Sequence, residues 1–208
     1  MDDLKMIEKW SFETKTFEIR RKAMHVLVGV FLVILIYYGI LAFWMSLAIL
    51  LAGIILSILS AKHSLPLVSF FLLHYDRPEH SNTPGIGAIS IFSSVSVLLL
   101  LLETGIISKS IVLASLMIWI FGDSLTAIVG KLYGKKKHPL NNRYVEGTIA
   151  GIVGGTIGAL FFVPIYVAFP AAFGTMIIES LEIRILRQRI DDNILVPLIA
   201  AGLLFLLL

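Results

Sequence analysis

The chain has 208 residues, 58% of them hydrophobic and only 15% charged, with a mean hydropathy of +0.93. Those values exclude an ordinary soluble domain and imply an integral membrane protein. With no cysteine, thiolate catalysis, thiolate metal sites and disulfides are excluded as well, and the net charge of +3 matters less than where the charges sit.

Residues 1–22 are mixed in charge and lack a short apolar core followed by a small-residue cleavage site, so no cleavable signal is expected. Leu4, Ile7, Trp10, Phe17 and Ile19 suggest instead an amphipathic segment lying along the membrane interface. Apolar stretches then follow at 23–38, 41–60, 86–102, 106–130, 147–163, 165–183 and 193–208. A bilayer crossing needs about 20 such residues. The expected fold is all-α: a polytopic membrane bundle of about seven transmembrane helices with an N-terminal interfacial helix. It forms a single domain over 1–208, with an arm at 1–22 and the bundle at 23–208.

If the N-terminus is cytoplasmic, the loops at 61–85, 131–146 and 184–192 are cytoplasmic too. Together with the N-terminal arm they hold every Lys and Arg except Lys109, a bias that fixes orientation. Almost all ionisable chemistry is thereby expected at one membrane face, where it would attract anionic lipid or a nucleotide.

Motifs on that face come in chain order. Arg21, Lys22 and His25 stand at the start of the first span, Arg21 and His25 four residues apart on one helical face. Cations at a helix start oppose the helix dipole and suit a bound anion better, although a basic cluster before a span is also an ordinary topology signal. The segment Asp76–His80 and the turn Thr83-Pro84-Gly85-Ile86-Gly87 precede the third span. Pro and Gly at a helix entry expose backbone N–H groups that can hold phosphate, and a boundary turn wants the same residues. Ser90, Ser93 and Ser94 continue into that span, fit for a polar cavity or for plain helix contacts.

In the fourth span Asp123 is the single carboxylate of the run Ile111 to Lys137. An isolated acid in apolar surroundings is costly, so it implies a functional site facing metal or charged substrate. Asp123, Ala127, Gly130 and Gly134 share a helical face free of bulk, which a neighbouring backbone or a phosphate can approach; helix packing with Asp123 as a cap is the alternative. Lys135, Lys136 and Lys137 follow. Glu146-Gly147 opens the fifth span ahead of a glycine stripe at Gly151, Gly154, Gly155 and Gly158, which is best explained by packing; Glu146 suits either a metal or ribose contact or a helix dipole. Glu179 and Glu182 close the sixth span, and Asp191-Asp192-Asn193 opens the seventh. Paired acids of this kind suit a hard divalent cation, while Asp192 or Asn193 also suits a helix cap.

Taken together, Arg21-Lys22-x-x-His25, Pro84-Gly85-x-Gly87-Ala88-Ile89, Gly122-Asp123 with Ala127, Gly130 and Gly134-Lys135, Glu146-Gly147, and Asp191-Asp192-Asn193 followed by Pro197 resemble the polyprenol kinase family. That family includes dolichol kinase, phytol kinase and CTP-dependent diacylglycerol kinases, and the likeness covers nearly the whole chain in order. The resemblance implies a multi-span lipid kinase that moves the terminal phosphate of CTP, with Mg²⁺ or another divalent cation, onto a membrane lipid alcohol. The positions carried over are Arg21, Lys22, His25, Gly85, Gly87, Gly122, Asp123, Gly130, Gly134, Lys135, Glu146, Gly147, Asp192 and Asn193. Arg143-Tyr144 stands where the family tends to have Lys followed by Ser or Thr.

Phosphoryl transfer asks for a metal, cations about the phosphates and a positioned hydroxyl. On this reading Asp123 and Asp192 hold the metal, and Lys135, Arg143, Arg21 and Lys22 clamp phosphates. Glu146 or Glu179 orients the nucleotide sugar, and His25 or Asp123 is the base for the alcohol. No GxxxxGK[ST] loop is present to do the phosphate binding. A polyprenol is the first-choice acceptor, with shorter isoprenoid alcohols or diacylglycerol next. The bilayer and a nucleoside triphosphate are expected partners, nucleic acid is not, and the expected location is a cell membrane or an endoplasmic-reticulum-type membrane with the site on its cytoplasmic face. The competing readings are a CTP-dependent cytidylyltransferase making a CDP-lipid and, from another class, a secondary transporter. The second is disfavoured because the halves do not mirror each other.

Overall fold

The computed structural model describes residues 2–62, 84–138, 143–181, 184–185 and 188–208. The expected Asp76–His80 cluster and Glu182 lie outside them.

The first helix, α1, runs from Asp2 to Tyr37 as one uninterrupted rod. The expected interfacial arm and first span are therefore a single helix, for a simple reason: no Gly or Pro occurs before Gly29. Gly39, at φ 71°, turns the chain into α2 (Phe43–Lys62). Gly85 supplies the left-handed entry to α3 (Ile86–Glu103), with φ 76° and ψ 17°, a conformation that residues carrying a Cβ avoid. Ser108 then caps α4, its hydroxyl accepting from the Ile111 N–H. α4 spans Lys109–Tyr133 and contains a π-helical stretch, Ile118–Asp123. Three further helices follow: α5 (Val145–Ala159), α6 (Ile165–Ser180) and α7 (Asp192–Leu207). Between α6 and α7 the two-residue strands β1 (Arg184–Ile185) and β2 (Gln188–Arg189) pair antiparallel, Arg184 opposite Arg189.

α4 is the centre of this helical bundle. Every residue from Ile111 to Ile120 is buried, and α1, α5 and α7 pack around the helix. α6 closes against α5 and α7, and α7 also reaches α3. α2 leans on α3, joined by a hydrogen bond between the buried hydroxyls of Ser46 and Ser96 at 2.9 Å and by the Phe43 N–H donating to Glu103 Oε1 at 2.9 Å.

The glycine stripe of α5 lets it lie directly on α4. A Cβ at Gly151 would sit 2.0 Å from Thr126 Oγ1 and 2.9 Å from the Gly122 carbonyl oxygen, and one at Gly147 would sit 2.5 Å from the Thr126 carbonyl oxygen. Only glycine permits this approach.

Among the described residues, seven helices fall on the seven expected segments. Three of them, Phe43–Ala61, Ile86–Glu103 and Lys109–Tyr133, are long and apolar enough to cross a membrane, whereas α5, α6 and α7 are shorter apolar helices. The outer surface is apolar, including Leu27, Phe31, Ile55, Val153 and Phe173, and an exposed aromatic group gathers near the end of the bundle opposite the lysine loop: Tyr37, Tyr38, Trp44, Phe161 and Tyr166.

Candidate active site

Charged residues on or just before five helices, α1, α4, α5, α6 and α7, meet toward the lysine-loop end of the bundle. Asp123 lies on α4 about 15 Å inside its C-terminus, by the helical rise over the ten residues to Tyr133. The π-helical stretch carries Trp119 and Asp123 on one side of α4, one turn apart, toward α1 and α7. Lys22 on α1 reaches across to donate to Asp123 Oδ2 at 2.5 Å; Lys22 is 2% exposed and Asp123 5%. Burial of this depth is tolerable only because the two charges compensate each other. His25, one turn further along α1, has Nε2 at 3.7 Å from the same Asp123 oxygen.

The second half of the site comes from α5, α6 and α7. Arg143, just before α5, bonds Glu179 Oε1 through one terminal nitrogen and Asp192 Oδ2 through the other at 3.1 Å. Glu179 sits in the last turn of α6, 1% exposed. Asp192 faces Arg143 while its neighbour does the capping: Asp191 Oδ1 accepts from the Asn193 N–H at 2.8 Å. That corrects the expectation of a cap at Asp192 or Asn193.

The two halves touch. One carboxylate oxygen each from Asp123, Glu179 and Asp192 lie within 4.8 Å of one another. Oxygens sharing one magnesium at about 2.1 Å are roughly 3–4 Å apart, so a small closing movement would let these three bind a common ion. Buried polar atoms without a hydrogen-bond partner gather here: Glu179 Oε2 and His25 Nε2, with Ser124 Oγ next to Asp123 and Arg21 Nε next to Lys22 in the chain. A buried, unpaired carboxylate oxygen is costly and points to a missing partner.

Asn193 ties α3, α4 and α7 together next to the acids. Its Oδ1 accepts from Trp119 Nε1 at 3.0 Å, its Nδ2 donates to the Gly87 carbonyl at 3.3 Å, and its backbone carbonyl accepts from Ser94 Oγ at 2.6 Å. Trp119 also packs on the His25 ring, with centroids 4.2 Å apart. Sequence reasoning passed over Trp119; an indole in an otherwise aliphatic run, four residues before the lone acid, was the available signal.

Arg21 pairs with Glu18 at 2.5 Å and stays near enough to Asp123 and Asp191 for their charges to act on it. Other expected site residues lie elsewhere. Lys135 is exposed on the loop after α4. Glu146 bends back over that loop, accepting from the Lys136 N–H at 3.0 and 3.2 Å, and lies outside the three-acid group. Its own backbone N–H, followed by those of Lys136 and Lys135, holds its carboxyl below the usual carboxylate range. The same loop is tied by pairing of Lys137 with Tyr144 and by the His138 N–H donating to the Arg143 carbonyl at 2.7 Å, which sets Arg143 in place. Gly122, Gly130, Gly134 and Gly147 meet helix and loop neighbours: a Cβ on them would contact Met176, Gly147, Tyr144 and Thr126 respectively, so the near space of each is taken by protein. The serines are similarly engaged, Ser93 with the Ile89 carbonyl and Ser94 with Asn193.

No family model and no solved structure matches the chain. Over 189 residues it is 29% identical to an uncharacterized protein of Methanocaldococcus jannaschii, an alignment that covers 88% of this chain and 91% of that one.

Proposed function

We propose that the protein is a polytopic membrane phosphotransferase of the polyprenol kinase type, passing the terminal phosphate of CTP to the hydroxyl of a lipid alcohol at the cytoplasmic face. The observation that carries this is the convergence of Asp123, Glu179 and Asp192 with Lys22 and Arg143, residues spread over 171 positions of sequence, in one buried locus. A purely structural ion-pair network would not leave the buried Glu179 Oε2 without a hydrogen bond.

In this reading all seven helices lie in the bilayer, α1 extending beyond it at its N-terminal end. The exposed apolar faces meet lipid, and Tyr37, Tyr38, Trp44, Phe161 and Tyr166 belong to the interfacial aromatic belt of the far leaflet. The lysine loop and the acids then face the cytoplasmic side, as the distribution of Lys and Arg demands.

Asp123, Glu179 and Asp192 fit a hard divalent cation by donor type and spacing, and such an ion would neutralise charge building on the phosphates. Lys22 and Arg143 are placed to hold phosphate oxygens, Arg143 through both terminal nitrogens. His25 Nε2, buried beside Asp123 and without a hydrogen-bond partner, is positioned to accept the proton of the incoming hydroxyl. Trp119 and Asn193 fix the ring of His25 and the start of α7, which is the positioning this chemistry depends on. Polyprenol is the first-choice acceptor and diacylglycerol or a shorter isoprenoid alcohol the next.

Product analysis tests the proposal. Purified protein given CTP labelled in its terminal phosphate, Mg²⁺ and a panel of lipid alcohols should yield labelled lipid phosphate and CDP. Release of pyrophosphate with a CDP-lipid instead assigns a cytidylyltransferase, and no nucleotide consumption with any lipid removes both.

A further inference from the structure

The cations at the acid cluster stand where a metal would need to be. Lys22 Nζ already occupies Asp123 Oδ2 at 2.5 Å, and Arg143 already spans Glu179 Oε1 and Asp192 Oδ2. Each of the three acids therefore offers its oxygen to a protein cation first. Among the described residues, Asp123, Glu179 and Asp192 are met by Lys22 and Arg143 in a region where Lys22, Asp123 and Glu179 are all at most 5% exposed. A bare divalent ion entering here meets two like charges that water does little to screen.

We propose that Lys22 and Arg143 are displaceable counter-ions, which keep a divalent cation out of the acid cluster until a polyphosphate arrives to take them over, so that metal and polyphosphate bind together or hardly at all. The idea takes the anion's identity from the phosphotransferase reading, but its physics is independent of any reaction. Both side chains are suited to the exchange. Lysine carries a compact charge on a flexible stem, arginine a planar fork that fits phosphate as well as carboxylate. When a polyphosphate offers them new oxygens, Asp123, Glu179 and Asp192 would be left to hold a metal beside the bound phosphates. Two orphaned atoms indicate that the paired state is incomplete: Glu179 Oε2, which accepts no hydrogen bond, and His25 Nε2, 3.7 Å from Asp123 Oδ2. A purely structural network would satisfy them.

The coupling is reciprocal by thermodynamic necessity: whatever factor polyphosphate adds to metal affinity, metal adds to polyphosphate affinity.

Equilibrium dialysis of the purified full-length protein against radioactive Mn²⁺, with and without pyrophosphate, reads this directly. The wild type should bind Mn²⁺ alone weakly, and pyrophosphate should raise the protein-bound Mn²⁺ at least about fivefold, at the lower edge of ordinary site-to-site coupling. Lys22→Met, which frees Asp123, should bind Mn²⁺ alone at least about fivefold more tightly than wild type, and Arg143→Gln should shift in the same direction. Wild-type protein that binds Mn²⁺ equally well with and without pyrophosphate overturns the proposal, and so does a folded Lys22→Met that gains nothing. If Lys22→Met does not fold, the wild-type pair of measurements decides alone. Because no turnover is needed, coupling in a protein that transfers no phosphate would sink the kinase reading and leave the counter-ions standing; transfer without coupling would do the reverse.

Discussion

Removing Lys22 should unsettle the fold more than removing Lys22 and Asp123 together. The pair is almost dry, 2% and 5% exposed, and is closed by a 2.5 Å contact across 101 residues of sequence. Deleting one partner of such a pair strands the other charge and costs about 3–5 kcal/mol. Replacing both with apolar groups of similar bulk removes the desolvation penalty along with the attraction, and comes out near neutral. For a chain of this size each kcal/mol moves Tm by roughly 2–4 °C, so Lys22→Met or Asp123→Leu alone should lower Tm by roughly 6–20 °C. The double variant should return to within a few degrees of wild type. The assay is thermal unfolding of purified protein in detergent micelles, read as a double-mutant cycle. Additivity of the two losses to within about 0.5 kcal/mol would refute the reasoning, because contacting buried charges cannot act independently.

Two further expectations follow from the packing and the sidedness. Gly151→Ala should destabilise by about 1–3 kcal/mol, since its Cβ would press on Thr126 Oγ1 at 2.0 Å and on backbone at Gly122, while Gly202→Ala, with nothing within 4 Å, should be neutral or mildly stabilising; equal Tm values for the two would contradict the close α4–α5 contact. The chain has no cysteine, so Lys137→Cys and Thr104→Cys give single-thiol proteins, and a membrane-impermeant maleimide applied to sealed vesicles should label the two from opposite sides. Labelling of both from the same side would overturn the assigned topology.

Much of the helix layout was legible because hydropathy contrast is strong in this chain. Tyr38-Gly39-Ile40 breaks one pair of helices without a charge, and the glycine stripe of α5 announced a close neighbour before that neighbour was known. Asp123 stood out because an acid in an apolar run has few structural uses. What the sequence hid is set by tertiary contact. The π-helical turn at Ile118–Asp123, packed between α5, α7 and α1, has no compositional mark. The division of labour between Asp191 and Asp192 rests on one φ/ψ choice at the helix start, and either residue type serves as a cap. Glu179 was expected at the site, as a paired acid or a sugar contact, but its place beside Arg143 and Asp192 depends on how α6 and α7 meet. The small face of Gly130 and Gly134 was compatible with phosphate or backbone, and the structure fills it with Tyr144 and α5.

The sharpest test of the three-acid centre is to make Asp123→Asn, Glu179→Gln and Asp192→Asn one at a time and measure transfer of the terminal phosphate of CTP to a lipid alcohol, with folding checked in parallel. Each amide keeps shape and a hydrogen-bond acceptor but removes one charge from the cluster. All three should lose activity by about a hundredfold or more, on the order of what a single charge-stabilising group contributes in such sites, while Glu103→Gln at the other end of the bundle retains it. Near-wild-type transfer by a folded Glu179→Gln or Asp192→Asn would mean that these carboxylates do not work as one centre.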